Sequence, residues 1–383
     1  MKAATAAPAR KQPDAMELFY EKVKRIHGRA LWQTEGTAKK AATVPYLWKY
    51  RDFRPLLFKA AEIVPIELAE RRVLVMANPG ILTDWQASNT LLANLQIIKP
   101  GEVARSHRHS ASALRLVIEG AGAYTAVDGE KSYMEPGDFV TTPNGTWHDH
   151  GNEGSAEMIW LDGLDVPLIQ ALEVNFFELY PQSKQPLTQP DELSLRLYGT
   201  GSLKPTWVKH SALHSPLLNY KFAQTYATLK SIAERTDGSP FDGVSVEYVN
   251  PLTAGPALPT MGCFANLLRP GQRTKAHRHT GSKIYHVIKG KGTSIIAGKI
   301  YDWDEKDTFV VPSWVWHEHI ATSESVLFSY SDSAILPALG LYREEALAES
   351  GGHQRVEGKF EALAVPERPD PRVLTMSRSD PVG

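Results

Sequence analysis

The chain has 383 residues, with 42 Lys and Arg against 43 Asp and Glu and a formal net charge of −1. That balance supplies neither the basic footprint of a nucleic-acid binder nor polybasic attraction to an anionic membrane. A hydrophobic share of 42% provides core for more than one structural unit, and a single cysteine, Cys263, excludes an intrachain disulfide and favours a reducing, cytoplasmic setting. No run approaches the roughly 18 apolar residues of a spanning helix, and Pro8, Arg10 and Pro13 interrupt any signal-like apolar core, so a soluble, unexported protein is expected.

In chain order, residues 1–13 read as a disordered tail. Asp14 followed by Glu17 has capping-box spacing, and Met16, Leu18, Phe19, Val23 and Ile26 recur at helical intervals. A second helix is expected from Arg54 to Ile63, with Pro55 in its first turn. Residues 14–85 are therefore expected to form a helical arm. Short apolar runs such as Leu114 to Glu119 and Ala123 to Val127, with the turn pair Asp128-Gly129, predict strands of a β-sandwich or barrel over 86–180. Residues 181–245, punctuated by Pro181, Pro186, Pro190, Pro205 and Pro216, read as a linker with one helix near Phe222 to Glu234. A second β domain is expected over 246–345 and a C-terminal tail over 346–383.

The second β domain follows from an internal repeat at offsets of 170 and then 169. His107-Arg108-His109 matches His277-Arg278-His279, Gly120 and Gly122 match Gly290 and Gly292, and Trp147-His148 with His150 matches Trp316-His317 with His319. Side chains at i and i+2 share one face of a strand, so each His-x-His pair presents two imidazoles to the same side. His148, and His317 in the second copy, complete a three-nitrogen face suited to Fe, Zn, Cu or Ni with coordination positions left open. An isolated buried histidine is usually a hydrogen-bonded core residue; two matching triads favour metal. Arg115 falls in phase with His107 and His109, so it is expected on the same inward face.

These residues carry a resemblance. Gly101, His107 and His109 are similar to the first cupin motif, and Gly137, Pro143, Gly145, His148 and Asn152 match the second at every fixed position. Ala113 and Leu114 stand where a general cupin places a glutamate ligand, a departure typical of the ring-cleaving group. The chain thus resembles the bicupin gentisate 1,2-dioxygenases and their salicylate and 1-hydroxy-2-naphthoate relatives over about residues 45 to 345, including Arg71-Arg72, Trp160 to Asp165 and Pro259 to Phe264.

The resemblance implies a mainly β bicupin fold with an N-terminal helical arm. It also implies Fe(II) on His107, His109 and His148, and cleavage of gentisate by O2, between the carboxyl- and hydroxyl-bearing carbons, to maleylpyruvate. It assigns Arg115 to the substrate carboxylate, Arg71 and Gln96 to substrate or oxygen positions, and His150 with Asp162 to the para hydroxyl. Arg71 and Gln96 are equally readable as structural, and the other reading of His150 is a hydrogen-bond partner behind the ligands. In the second copy Tyr285 replaces Arg115 and Asn266 replaces Gln96, so His277, His279 and His317 are expected to hold a second metal without a second catalytic site. Family members are usually homotetramers. Other readings are a 1-hydroxy-2-naphthoate or salicylate dioxygenase, a ligand-binding bicupin, or an isomerase or decarboxylase with a non-redox metal.

Overall fold

A computed structural model describes residues 15–33, 42–81, 85–209 and 213–362. Asp14, the expected helix cap, lies outside the described residues. Residues up to Ala41 form one unit and Ala42–Gly383 another. The first contains the helix Ala15–Arg25, which buries none of its residues. Phe19 stacks on Trp32 within this unit, and the Trp32 indole N–H donates to Tyr20 Oη at 3.0 Å.

The larger unit contains two β-barrels, each made of two sheets. In the first barrel, a six-stranded sheet runs Asn219–Tyr220, Phe139–Thr142, Ala113–Glu119, Met158–Leu164, Leu92–Ile98, Arg72–Val75. Opposite it lies a five-stranded sheet of Phe177–Leu179, Val103–His109, His148–Asn152, Ala123–Val127 and Glu130–Tyr133. The second barrel repeats this plan, with His277–His279 and His317–Ala321 neighbouring in one sheet and Gly262–Leu268, Lys283–Lys289 and Ser325–Ser331 in the other. Asp128 and Gly129, both at positive φ, make the expected tight hairpin turn, and Ala297 and Gly298 repeat it.

The six-stranded sheet of the first barrel packs outer face to outer face on the second-barrel sheet that holds Gly262–Leu268, Lys283–Lys289 and Ser325–Ser331. Leu114, Leu116, Ile118, Ile159 and Leu161 of the first share one buried cluster with Cys263, Ala265, Ile284 and Phe328 of the second. Arg115 and Val117, with opposite parity, point into the first barrel. Burial on both faces explains why Leu114 to Ile118 reads as a nearly continuous apolar run rather than a clean alternation.

The stretch from 42 to 85 is not purely helical. Tyr46–Trp48 pairs with Thr308–Val311 in the second barrel, and Arg72–Val75 edges a sheet of the first. The second helix begins at Tyr50, not Arg54, because Asp307, 257 residues away, accepts the Tyr50 N–H at 2.9 Å. The stretch read as a linker contributes Asn219–Tyr220 to one barrel and the start of Val244–Glu247 to the other, besides the helix Phe222–Ala233.

His286 faces this junction, buried, with Nδ1 2.9 Å from Thr308 Oγ1. Burial, with Lys306 adding to it, holds the imidazole down at about 3. An unfolded chain protonates that histidine near pH 6.5, so below this pH the unfolded state takes up a proton that the native state refuses. Stability is therefore lost as pH falls. His286→Gln retains a partner for Thr308 and removes the titration. Between pH 7 and 5 the wild type should lose about 2 kcal/mol more than the variant in denaturant unfolding of the metal-free protein; equal losses would mean that His286 charges in the native state.

Candidate metal and substrate site

Strand parity places His107 and His109 inward and Arg108 outward, where it lies over the Trp147 ring. His148 is the register partner of His107 across neighbouring strands. One nitrogen from each of these three rings lies within 4.8 Å of the others, and the same holds for His277, His279 and His317.

Tautomers follow from the outer hydrogen bonds. The Nδ1 atoms of His107, His109 and His148 face the carbonyls of Arg105, Ala111 and Thr146 at 3.0, 2.8 and 3.0 Å. Donation from Nδ1 leaves each Nε2 lone pair directed inward. Burial depresses the imidazoles, His107 to about 2, His109 to about 4 and His148 well below its ordinary value, so all three are neutral near pH 7. His148 Nε2 is buried without a partner. Neutral, pre-oriented imidazoles with an unsatisfied nitrogen are the donor set a divalent transition metal requires, so the residues fit a non-haem iron.

Arg71, Gln96, His107, His109, Arg115 and Asp162 line one cavity of about 280 Å³. Arg115 and Asp162 are register partners, and Nε lies 3.3 Å from Oδ1. Thr142 Oγ1 accepts from the Arg115 guanidinium, and the Trp160 indole donates to Asp162 Oδ1 at 3.0 Å. Burial pushes Asp162 up to about 6 against the pull of Arg115 and lowers Arg115 to about 10. Arg71 Nη1 lies 2.6 Å from His107 Nε2. His150 is not on the cavity wall; it is fully buried, with Nδ1 3.0 Å from Thr125 Oγ1 and Nε2 unpartnered.

Phe177 and Asn94 are among the wall residues that the structure adds. Phe177, on an exposed edge strand paired with His109, stacks on the His107 ring at 5.2 Å and 26°. Asn94, opposite Asp162 in register, has a buried amide oxygen with no partner. Asn94 shares strand parity with Gln96, and that parity was the available signal. Phe177 had none, since its strand shows no repeat identity and, at three residues, is too short for its alternation to stand out.

In the second barrel, strand register puts Tyr285 where Arg115 stands, Ser329 where Asp162 stands and Glu344 where Phe177 stands. Its cavity is smaller, about 160 Å³.

Comparison with known proteins agrees with this architecture. The cupin domain family matches residues 94–164 and 267–329. Gentisate 1,2 dioxygenase 1 of Aquipseudomonas alcaligenes is 41% identical over 85% of this chain and 95% of its own. 5-Aminosalicylate 1,2-dioxygenase of a Comamonas species is 38% identical over 93% and 96%. The solved structure of salicylate 1,2-dioxygenase from Pseudoaminobacter salicylatoxidans as a gentisate adduct aligns with a TM-score of 0.82 at 31% identity, covering 90% of this chain and 98% of that one. With two barrels and a histidine triad in each, the protein belongs to the bicupin non-haem iron ring-cleaving dioxygenases.

Proposed function

We propose that the first barrel is the ring-cleaving centre and that gentisate is its substrate, opened between the carboxyl- and hydroxyl-bearing carbons to maleylpyruvate with both oxygen atoms of O2 retained. The observation that carries this reading is the pair of guanidiniums, Arg71 and Arg115, sharing one cavity with His107 and His109 of the first histidine triad. Those cations suit a carboxylate, and Arg115 is fixed in aim by Thr142 and Asp162. The second cavity lacks both, since Gly243 and Tyr285 occupy the corresponding register positions.

Fe(II), when bound by His107, His109 and His148, supplies the redox chemistry and a common template for substrate and O2. The protein's part is positional. Arg115 binds the carboxylate and so sets which ring carbon faces the metal face. Arg71 and Gln96 stand at the same wall and are assigned to substrate or oxygen contacts. Phe177 supplies an aromatic surface at the mouth. Asp162, a wall carboxyl that burial pushes up to about 6, is assigned to the para hydroxyl, a group that distinguishes gentisate from salicylate; His150, off the wall beside the His148 and Trp160 rings, is assigned to support behind the ligands. The second triad is assigned an accessory metal. A cytoplasmic homotetramer, implied by resemblance, belongs to the same proposal; among the described residues no helix is long and apolar enough to cross a membrane.

The test is oxygen uptake by anaerobically Fe(II)-loaded protein offered gentisate, salicylate and 1-hydroxy-2-naphthoate in parallel, with the ring-opened product followed by ultraviolet absorbance. Gentisate is expected to give a kcat/KM at least about tenfold above the others, the discrimination that one satisfied buried polar contact supplies. A preference for another substrate keeps the chemistry and moves the assignment; no uptake with bound iron removes it.

A further inference from the structure

The two barrels share a ligand triad but not its electrostatic surroundings. Around the first triad stand two guanidiniums, Arg71 and Arg115, and one carboxylate, Asp162. Arg71 Nη1 already lies 2.6 Å from His107 Nε2, so an entering dication meets a positive wall and must displace a cation from its own ligand. Around the second triad the inventory inverts, with the carboxylates Asp242 and Glu344 against the single ammonium of Lys283.

Glu344 acts directly on a ligand. Its Oε1 accepts from His277 Nδ1 at 2.9 Å, while Tyr342 Oη donates to its Oε2 at 3.1 Å. A carboxylate on the outer nitrogen makes an imidazole a stronger metal donor than a backbone carbonyl does. Phe241 lies flat on the same ring at 4.8 Å and 9°. Nε2 of both His277 and His317 is buried without a hydrogen-bond partner, and so are Tyr285 Oη, Ser329 Oγ and Asp242 Oδ1 of the same barrel, the last with only the Lys283 ammonium 3.7 Å away. Buried polar atoms left open in such number call for a bound polar guest.

We propose that the second triad is the tighter of the two divalent-cation sites, and that its remaining coordination positions carry water held by Asp242 and the neighbouring hydroxyls, not an anionic organic ligand. This ordering rests on fixed charge and on Glu344; it does not depend on which barrel cleaves the ring.

Metal-free protein titrated with Co(II) against a chromophoric chelator tests it without reading turnover. Two binding phases are expected, each of about one ion per chain and separated at least about tenfold in affinity. His107→Ala/His109→Ala should retain the tight phase and His277→Ala/His279→Ala the weak one. Glu344→Gln and Asp242→Asn, which leave every ligand in place, should each weaken the tight phase by about tenfold and leave the weak phase unmoved. Two equal sites, a tight phase lost with the first-barrel histidines, or a tight phase untouched by both carboxylate variants would each overturn the proposal.

Discussion

Arg115→Ala is expected to raise KM for a carboxylated substrate by roughly two to three orders of magnitude, with the smaller effect on kcat. The size follows from burial. Arg115 is 4% exposed and paired with an equally buried Asp162 at 3.3 Å, so removing it deletes a charge-assisted contact inside a low-dielectric cavity. Breaking a buried pair in this way costs about 3–5 kcal/mol. Part of that cost is the stranded Asp162. Burial already pushes its carboxyl up to about 6 while Arg115 pulls it down, so loss of Arg115 moves it further up. The variant's pH profile should therefore lose its acid limb near 6 and gain a dependence at higher pH. Arg115→Lys keeps the charge but not the planar fork that reaches both Thr142 and Asp162, and it should recover only part of the loss. Steady-state oxygen uptake over a substrate series decides this. An unchanged KM would remove Arg115 from the carboxylate site.

What was legible in the sequence was whatever depends on strand parity and spacing. His107, His109 and Arg115 follow from the period of two, and the turn at Asp128-Gly129 from a dipeptide that tolerates positive φ. The three ligands of each copy were visible because the offset slips by only one residue, from 170 to 169, between the His-x-His pair and the third histidine. Correspondences outside that window were hidden because the offset drifts. Asp162 and Ser329 are register equivalents 167 positions apart, as are Phe177 and Glu344, whereas Arg115 and Tyr285 are 170 apart. A sequence alignment at 169 therefore misplaces the late strands. The helix start at Tyr50 and the strand Tyr46–Trp48 were illegible for a different reason. Each is completed by a partner roughly 260 residues away, Asp307 for the helix and Thr308–Val311 for the strand. No local propensity encodes such a partner.

The shared core between the barrels bears on the second large effect, the separation of the two triads. His148→Ala should abolish turnover to background while removing about one metal ion per chain, because two remaining imidazoles no longer define a face. His277→Ala/His279→Ala should remove a similar amount of metal yet leave turnover within roughly a factor of three, a change of under about 1 kcal/mol in the barrier. The asymmetry is expected because the side chains that suit a carboxylated ring, Arg71, Arg115 and Asp162, all line the first cavity. Coupling between the barrels runs instead through packing. Tyr330 of the second barrel donates to the Leu92 carbonyl of the first at 2.6 Å, and the Phe328 and Phe139 rings lie 5.6 Å apart. Leu92 and Asn94 share a strand whose next inward residue is Gln96, so a collapsed second barrel would disturb the first cavity from behind. Metal analysis, oxygen uptake and near-ultraviolet circular dichroism on the same preparations separate these causes. Complete loss of activity in His277→Ala/His279→Ala with native tertiary signal would mean that the second metal takes part in turnover; loss accompanied by a collapsed signal would mean that it holds the shared core.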